Sequence, residues 1–347
     1  MPPFCRTTNQ RKVAIGSCDC IRRSNQLPGN FYLGRRIAEA DPYKPIWLWT
    51  LATGILAIIG ILDFICYILF GIGLPRPQQF EAQEHGLTGT FRNTGQAGAY
   101  FSVGVLVGLP YALVENGRRG TAARTLVGVT ALALLLTAKR AGWVGAAVGV
   151  VIAILQAVRK GIVQRGALLL LGVIGAGAAT YSWTLQNFDH LRTRTERKIG
   201  AADQILDERS FWRSNIRDAV QIFAEHPVLG ISLGGASEAT STGHEIHSTY
   251  FAVIAELGLI GFLAYMGMMI SLWRATLPSP SSPEWTRWRS LVLSAWIGML
   301  VTFVYVYHLR KREFWVAAAV MAVVAAAAKK LEGKKGEDSR EGAGEFP

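Results

Sequence analysis

Long unbroken apolar blocks, rather than alternation, organise this chain. Runs such as 46–74 and 165–183 carry at most one charge each; at roughly 18–28 residues they are long enough, as helix, to cross a ~30 Å hydrocarbon layer. A helix on a soluble core would show a polar face at every turn instead. The blocks predict spans near 46–73, 97–115, 123–138, 141–157, 166–184, 248–272, 290–308 and 313–328, about eight in all. The expected fold is therefore all-α, a polytopic transmembrane helical bundle interrupted by one large loop. Its domains read as an N-terminal tail over 1–45, spans over 46–184, the loop over 185–247, spans over 248–328 and a C-terminal tail over 329–347.

Composition sharpens this picture without changing it. Half the residues are hydrophobic and 17% are charged, against about 25% in ordinary soluble proteins. The formal net charge of +12 suggests a nucleic-acid partner only until its distribution is followed. Basic residues crowd into the two tails and alternate short loops, which orients both tails to the cytoplasm and the 185–247 loop outward, to the periplasm. That distribution excludes nucleic acid as the partner and leaves membrane lipids. Cys5, Cys18 and Cys20 lie in the N-terminal tail and Cys66 lies within the first span. None is placed to pair in an oxidising compartment, and Cys18 and Cys20 lack the spacing of a zinc or redox pair. The first 45 residues have no apolar stretch of the kind a cleavable signal requires.

Candidate chemistry sits where the apolar pattern breaks. Asp63 lies alone in the first span and reads equally as a buried structural carboxylate or a functional one. Lys139 and Arg140 are squeezed between two spans where only a tight turn fits. They either reach lipid phosphates or form an anion site, for which the planar guanidinium fork is suited. The 185–247 loop is too long for a connector. Within it, Trp212, Ile216, Val220 and Phe223 follow helical spacing, predicting an amphipathic helix over 205–226 on the membrane surface, stopped by Pro227. Arg209, Arg213 and Arg217 recur every fourth residue along one stripe of that helix, either as a solvated, headgroup-binding face or as part of the same anion site. The Gly- and Ser-rich stretch 229–243 reads as flexible enough to fold over a ligand. His244-Glu245-Ile246-His247 lacks the HExxH spacing of zinc hydrolases. His247, at the mouth of a span with Glu256 further in, suits proton transfer or interfacial anchoring. No metal or cofactor site is expected.

Several of these stretches resemble the O-antigen ligases and related polysaccharide polymerases, over about residues 85–275. His247-Ser248 and Gly258-Leu259-Ile260-Gly261 fit the family's histidine-to-glycine pattern in spacing and type. Arg209-Ser210-Phe211-Trp212, leading to Glu225-His226-Pro227-Val228-Leu229-Gly230, is similar to its large-loop segment. Gly89-Thr90-Phe91-Arg92-Asn93 is similar to a segment ahead of an earlier span, with Thr94-Gly95 where the family has Pro-Asn. Lys139-Arg140-Ala141-Gly142 resembles a turn in which Ser usually stands in place of Lys139. The resemblance implies a bacterial inner-membrane glycosyltransferase of lipopolysaccharide or exopolysaccharide synthesis. Its donor would be an undecaprenyl-diphosphate-linked glycan, and its acceptor a hydroxyl on lipid, glycan or protein. Arg140 and Arg209 would hold the diphosphate, His247 would act on the acceptor hydroxyl, and Lys139, Arg213, Arg217 and Glu256 would line the substrate site. The competing readings are a transporter or flippase for an anionic lipid or sugar, and a catalytically silent homologue.

Overall fold

The computed structural model describes residues 41, 43–74, 86–159, 202–241, 243, 245–276, 283–307 and 311–324, together with 172, 175 and 182. Both tails, nearly all of the expected 166–184 span and the first part of the loop lie outside the described residues, as do the side chains of 202–211 and 283–290. Among the described residues every regular element is a helix. These are α1 (Lys44–Phe70), α2 (Thr94–Val114), α3 (Gly117–Leu136), α4 (Arg140–Arg159), α5 (Ala202–Glu225), the single turn α6 (Ala236–Ala239), α7 (Thr249–Thr276) and α8 (Pro283–Tyr305); α9 covers 312–324. Five of them, α1 to α4 and α7, are long and apolar enough to cross a membrane, and α8 has a shorter apolar stretch over Leu291–Tyr305.

The way α1 packs shows which solvent it is built for. Beside Ile46, Trp49 and Phe64, its buried side is mostly small or polar, with Thr50, Thr53, Gly54, Ala57, Gly60 and Asp63, while Leu48, Ile55, Leu62 (56% exposed) and Leu69 face outward. A water-soluble helix would reverse that assignment. Lipid gives large apolar side chains no reason to hide, so the protein interior goes to residues that allow close backbone approach. Polar groups taken inside find partners within the chain. Thr50 donates to the Ile46 carbonyl at 2.8 Å, and Asp63 accepts the Leu74 amide at 2.6 Å. Asp63 thus ties down the turn after α1, which begins at Gly71 in the left-handed conformation; of its two sequence readings, this is the structural one.

Helix α2 is the axis of the bundle, buried from Ala97 through Leu113. Its glycines admit neighbours on either side: a Cβ at Gly104 would lie 2.5 Å from Thr53 and 3.2 Å from Thr130, and one at Gly108 2.9 Å from Val127. The closest crossing joins α4 to α8. Gly145 lies against Thr302 and the Gly298 carbonyl, and a Cβ at Gly149 would come within 2.2 Å of Leu106 and 3.0 Å of the Ser294 carbonyl. These are the small-residue seams that let membrane helices associate through dispersion.

The same contacts sort the helix ends. Gly98 near the start of α2 lies against Lys139 and Thr137 of the α3–α4 turn, and Gly142 lies against the Gly98 carbonyl. Ser248 donates to Phe303 O at 3.4 Å and Thr249 to Val306 O at 2.6 Å, joining the start of α7 to the close of α8. Because Gly145 meets Thr302, these two groups share one end of the bundle. At the other end Arg124 closes α2, donating to Ala112 O and Glu115 O, and Arg119 pairs with Asp41 at 3.6 Å.

Replacing Gly149 with leucine should overpack the α4–α8 seam and cost about 1–3 kcal/mol. Thermal unfolding in detergent would show a clear loss, whereas Val151→Leu on the exposed face of the same helix should leave the transition unchanged.

Candidate functional site

Helix α7 begins at Thr249 and is broken at Gly258, which adopts φ 62°, ψ −165° in the middle of an otherwise continuous element. Such a break strands backbone donors and acceptors that the helix no longer satisfies. The stretch after α5 takes them up. Ile231 N donates to Ala255 O at 3.3 Å and Ser232 N to Glu256 O at 3.0 Å, while Leu259 N donates to Pro227 O at 2.9 Å and Ile260 N to Val228 O at 3.3 Å. Two glycines make the approach possible. A Cβ at Gly230 (φ +67°) would lie 2.4 Å from the Glu256 carbonyl, and one at Gly258 would lie 2.5 Å from that of Val228. Both combine a left-handed conformation with backbone contact, so each demands glycine twice over. The segment expected to be a flexible cover is in this part a fixed backbone splint.

Helix α5 follows the expected span, ending at Glu225 ahead of Pro227; part of its expected apolar stripe stays at the surface, and a second face is the one buried in the protein. Asn215, Asp218, Ala219 and Ile222 are buried, whereas Ile216 (38%) and Val220 (58%) are exposed beside the exposed Arg213 and Arg217. The buried side packs into a small core with Ala236, Ile246, Ala252, Ala255 and Tyr307. Its two polar members hold loops: Asp218 accepts from Ser241 N and Oγ at 3.0–3.2 Å, and Asn215 Oδ1 accepts the His247 amide at 3.1 Å. Trp212 sits edge-on against Tyr305 at the close of α8, ring centroids 5.7 Å apart.

His247 is exposed, with its backbone fixed to α5 and its ring Nδ1 2.8 Å from the Glu245 carbonyl. A carbonyl oxygen only accepts, so Nδ1 carries the proton and Nε2 is the basic position of the neutral ring. Glu256 is on α7, two residues before the break, and is 1% exposed. Its carboxylate accepts the Tyr307 hydroxyl in a short hydrogen bond, so it lies within the protein rather than at its surface.

The Lys139–Arg140 turn is built by Ala138 at φ 53° and by Thr137 Oγ1 and Trp143 Nε1, which both donate to Leu134 O. Arg140 is the first residue of α4 and exposed, and Lys139 is half-buried against Gly98. Neither α2 nor α4 has an acidic residue in its first turn, so two positive helix ends and the Arg92, Lys139 and Arg140 cations gather without the usual compensating carboxylates there. Lys311, ahead of α9, belongs to the same end. Burial pushes its ammonium below the usual lysine value, opposed by Glu313 and by Glu245, whose carbonyl holds the histidine ring.

The structure thus brings Lys139, Arg140, α5 with Arg213 and Arg217, and His247 to one end of the bundle; Arg209 is on α5, its side chain outside the described residues. Asn215 and Tyr307 are participants the sequence reading missed; Lys311, within the basic run 310–312, was legible there as a candidate extension of the anion site. Ala219 and Ile222, one helical step apart, were the available signal for a buried face. Among the described residues no three His, Cys, Asp or Glu side chains gather as a metal site would need.

The model of the family described as O-Antigen ligase matches residues 125–266. No curated protein matches the chain. The matched stretch runs from within α3 through the Lys139–Arg140 turn, α5, the splint and His247 into α7, and stops before α8.

Substituting alanine at Gly230 or Gly258 should release the splint. Hydrogen exchange over 226–260 should accelerate by an order of magnitude or more, corresponding to about 1–3 kcal/mol of local stability, with little change over α1 to α4.

Proposed function

From the match of residues 125–266 to the O-antigen ligase family model, we propose that this chain transfers glycan from an undecaprenyl-diphosphate-linked donor to an acceptor hydroxyl, at the outer face of a bacterial inner membrane. The observation that carries the reading is the common end of the bundle shared by the Lys139–Arg140 turn, the arginine-bearing α5 and a histidine whose Nδ1 is committed to a carbonyl.

In the transfer, the acceptor oxygen attacks the anomeric carbon and the bond from that carbon to the diphosphate oxygen breaks. The electron pair leaves on the diphosphate. The hydroxyl proton passes to His247 Nε2, the nitrogen that the Glu245 carbonyl leaves as the base, and from there to solvent. Arg140, Lys139 and the α5 arginines, Arg209 foremost, hold the diphosphate and stabilise the charge that grows on it as the bond breaks. Cations carried on packed helices need little reorganisation when that charge appears. They fill the place of a divalent ion, so the reaction is metal-independent. An exposed apolar stripe on α5, Ile216 and Val220, beside Arg213 and Arg217, suits a surface where acyl chains meet headgroups. A polyprenyl diphosphate has the same two-part chemistry.

Removing one such charge-stabilising group commonly costs about 10²–10³ in rate. Arg140→Ala and His247→Ala should each abolish surface-glycan formation when they replace the wild-type gene, with normal amounts of chain in the membrane fraction. Transfer at the wild-type rate by either variant, or loss of wild-type activity with EDTA, would contradict the mechanism.

A further inference from the structure

The family match ends at residue 266, yet the connector between α8 and α9 reaches the two residues that precede His247. Tyr307 is 5% exposed and packs with Ile246, the residue before the histidine, in the core shared with Ala219, Ile222, Ala252 and Ala255. Its hydroxyl donates to the buried carboxylate of Glu256. Lys311, at the other end of the same connector, lies within electrostatic reach of Glu245, whose carbonyl accepts from the ring.

We propose that Tyr307 and Glu256 are positioning residues that set the orientation and tautomer of the His247 imidazole, with the connector after α8 serving as the back wall of the site. The inference rests on His247 acting as the base. Glu256 is suited to this because it is bonded twice. Its main-chain carbonyl accepts the Ser232 amide of the splint, and its side chain accepts the tyrosine hydroxyl, so one residue ties the break in α7 to the connector. Without the hydroxyl, a buried carboxylate oxygen has lost its donor and must turn away or take up a proton. Either response shifts the Tyr307 ring against Ile246. Because Ile246 lies between Glu245 and His247, that shift alters the geometry between the carbonyl and Nδ1. Glu256 therefore acts through the histidine and does not touch the substrate.

The test needs no substrate. The full chain, labelled with ¹⁵N-histidine and reconstituted in lipid nanodiscs, reports each ring's tautomer by its nitrogen shifts; His247→Gln identifies the signal among the six histidines. Wild type should show the neutral ring of His247 mainly as the Nδ1–H form. Tyr307→Phe should lower the ratio of Nδ1–H to Nε2–H by about threefold or more. Glu256→Gln, which retains an oxygen for the tyrosine hydroxyl, should preserve the wild-type ratio, and Glu256→Ala should reproduce the tyrosine variant. An unchanged His247 spectrum in both Tyr307→Phe and Glu256→Ala overturns the proposal, as does a fall in unfolding temperature with the tautomer intact. If His247→Ala proved active in transfer, the functional reading would fail while the tautomer result stood, so the two failures are distinguishable.

Discussion

The break in α7 is the constraint on which the rest of this site depends. A helix interrupted at Gly258 exposes amides and carbonyls that lipid cannot satisfy, and an unsatisfied peptide group in an apolar medium costs several kcal/mol. Pairing with Pro227, Val228, Ile231 and Ser232 removes that cost. It also dictates what stands nearby. Because the splint follows directly from α5, the pairing fixes where α5 ends and lays its Asn215–Ile222 side along the first turns of α7. Since Asn215 holds the His247 amide, one backbone crossing settles the location of the histidine, the arginine-bearing helix and the connector that backs them.

The bundle beneath supplies rigidity by different means. Its closest seams run over glycine, alanine and threonine, and on α1 many of the large aliphatic side chains are turned outward. Close packing of this sort is intolerant of added volume, so the α3–α4 turn has little freedom relative to α2 and α8. That matters for the cations. A guanidinium at a rigid helix terminus keeps its direction, and preorganised charge is what makes electrostatic stabilisation effective during bond cleavage. The tight turn at Ala138, with two side chains donating to Leu134 O, fixes where the chain places Lys139 and Arg140.

What could be read from sequence follows from what kind of signal each feature leaves. Apolar blocks gave the helical class and the extents of α1, α2 and α4 closely, because lipid acts on every residue of a span. The stop of α5 before Pro227 and the alignment of His247 with Gly258 were legible too, being local chemistry and fixed spacing. The buried side of α5 was not. Asn215 and Asp218 look solvated in sequence, and only the loops they hold, at Ser241 and His247, explain why a polar pair is buried while Ile216 and Val220 are exposed. Glycine-rich composition suggested flexibility over 229–243, yet Gly230 is there because its partner's backbone comes too close for any side chain. Tyr307 left no signal, since its partner Glu256 lies far away along the chain.

One further step joins the two halves of the site. The end of the bundle that carries Arg92, Lys139 and Arg140 also carries the N-termini of α2 and α4 without acidic first-turn residues, so helix dipoles and side chains add with one sign. The carboxylates at this end have other duties: Asp218 holds Ser241, Glu256 holds Tyr307, and Glu245 and Glu313 face Lys311. These carboxylates are thus held by neutral donors or face Lys311, on the α7–α9 side of this end. On the function proposed above, the leaving diphosphate would lie toward Lys139 and the arginines, and the acceptor hydroxyl toward His247.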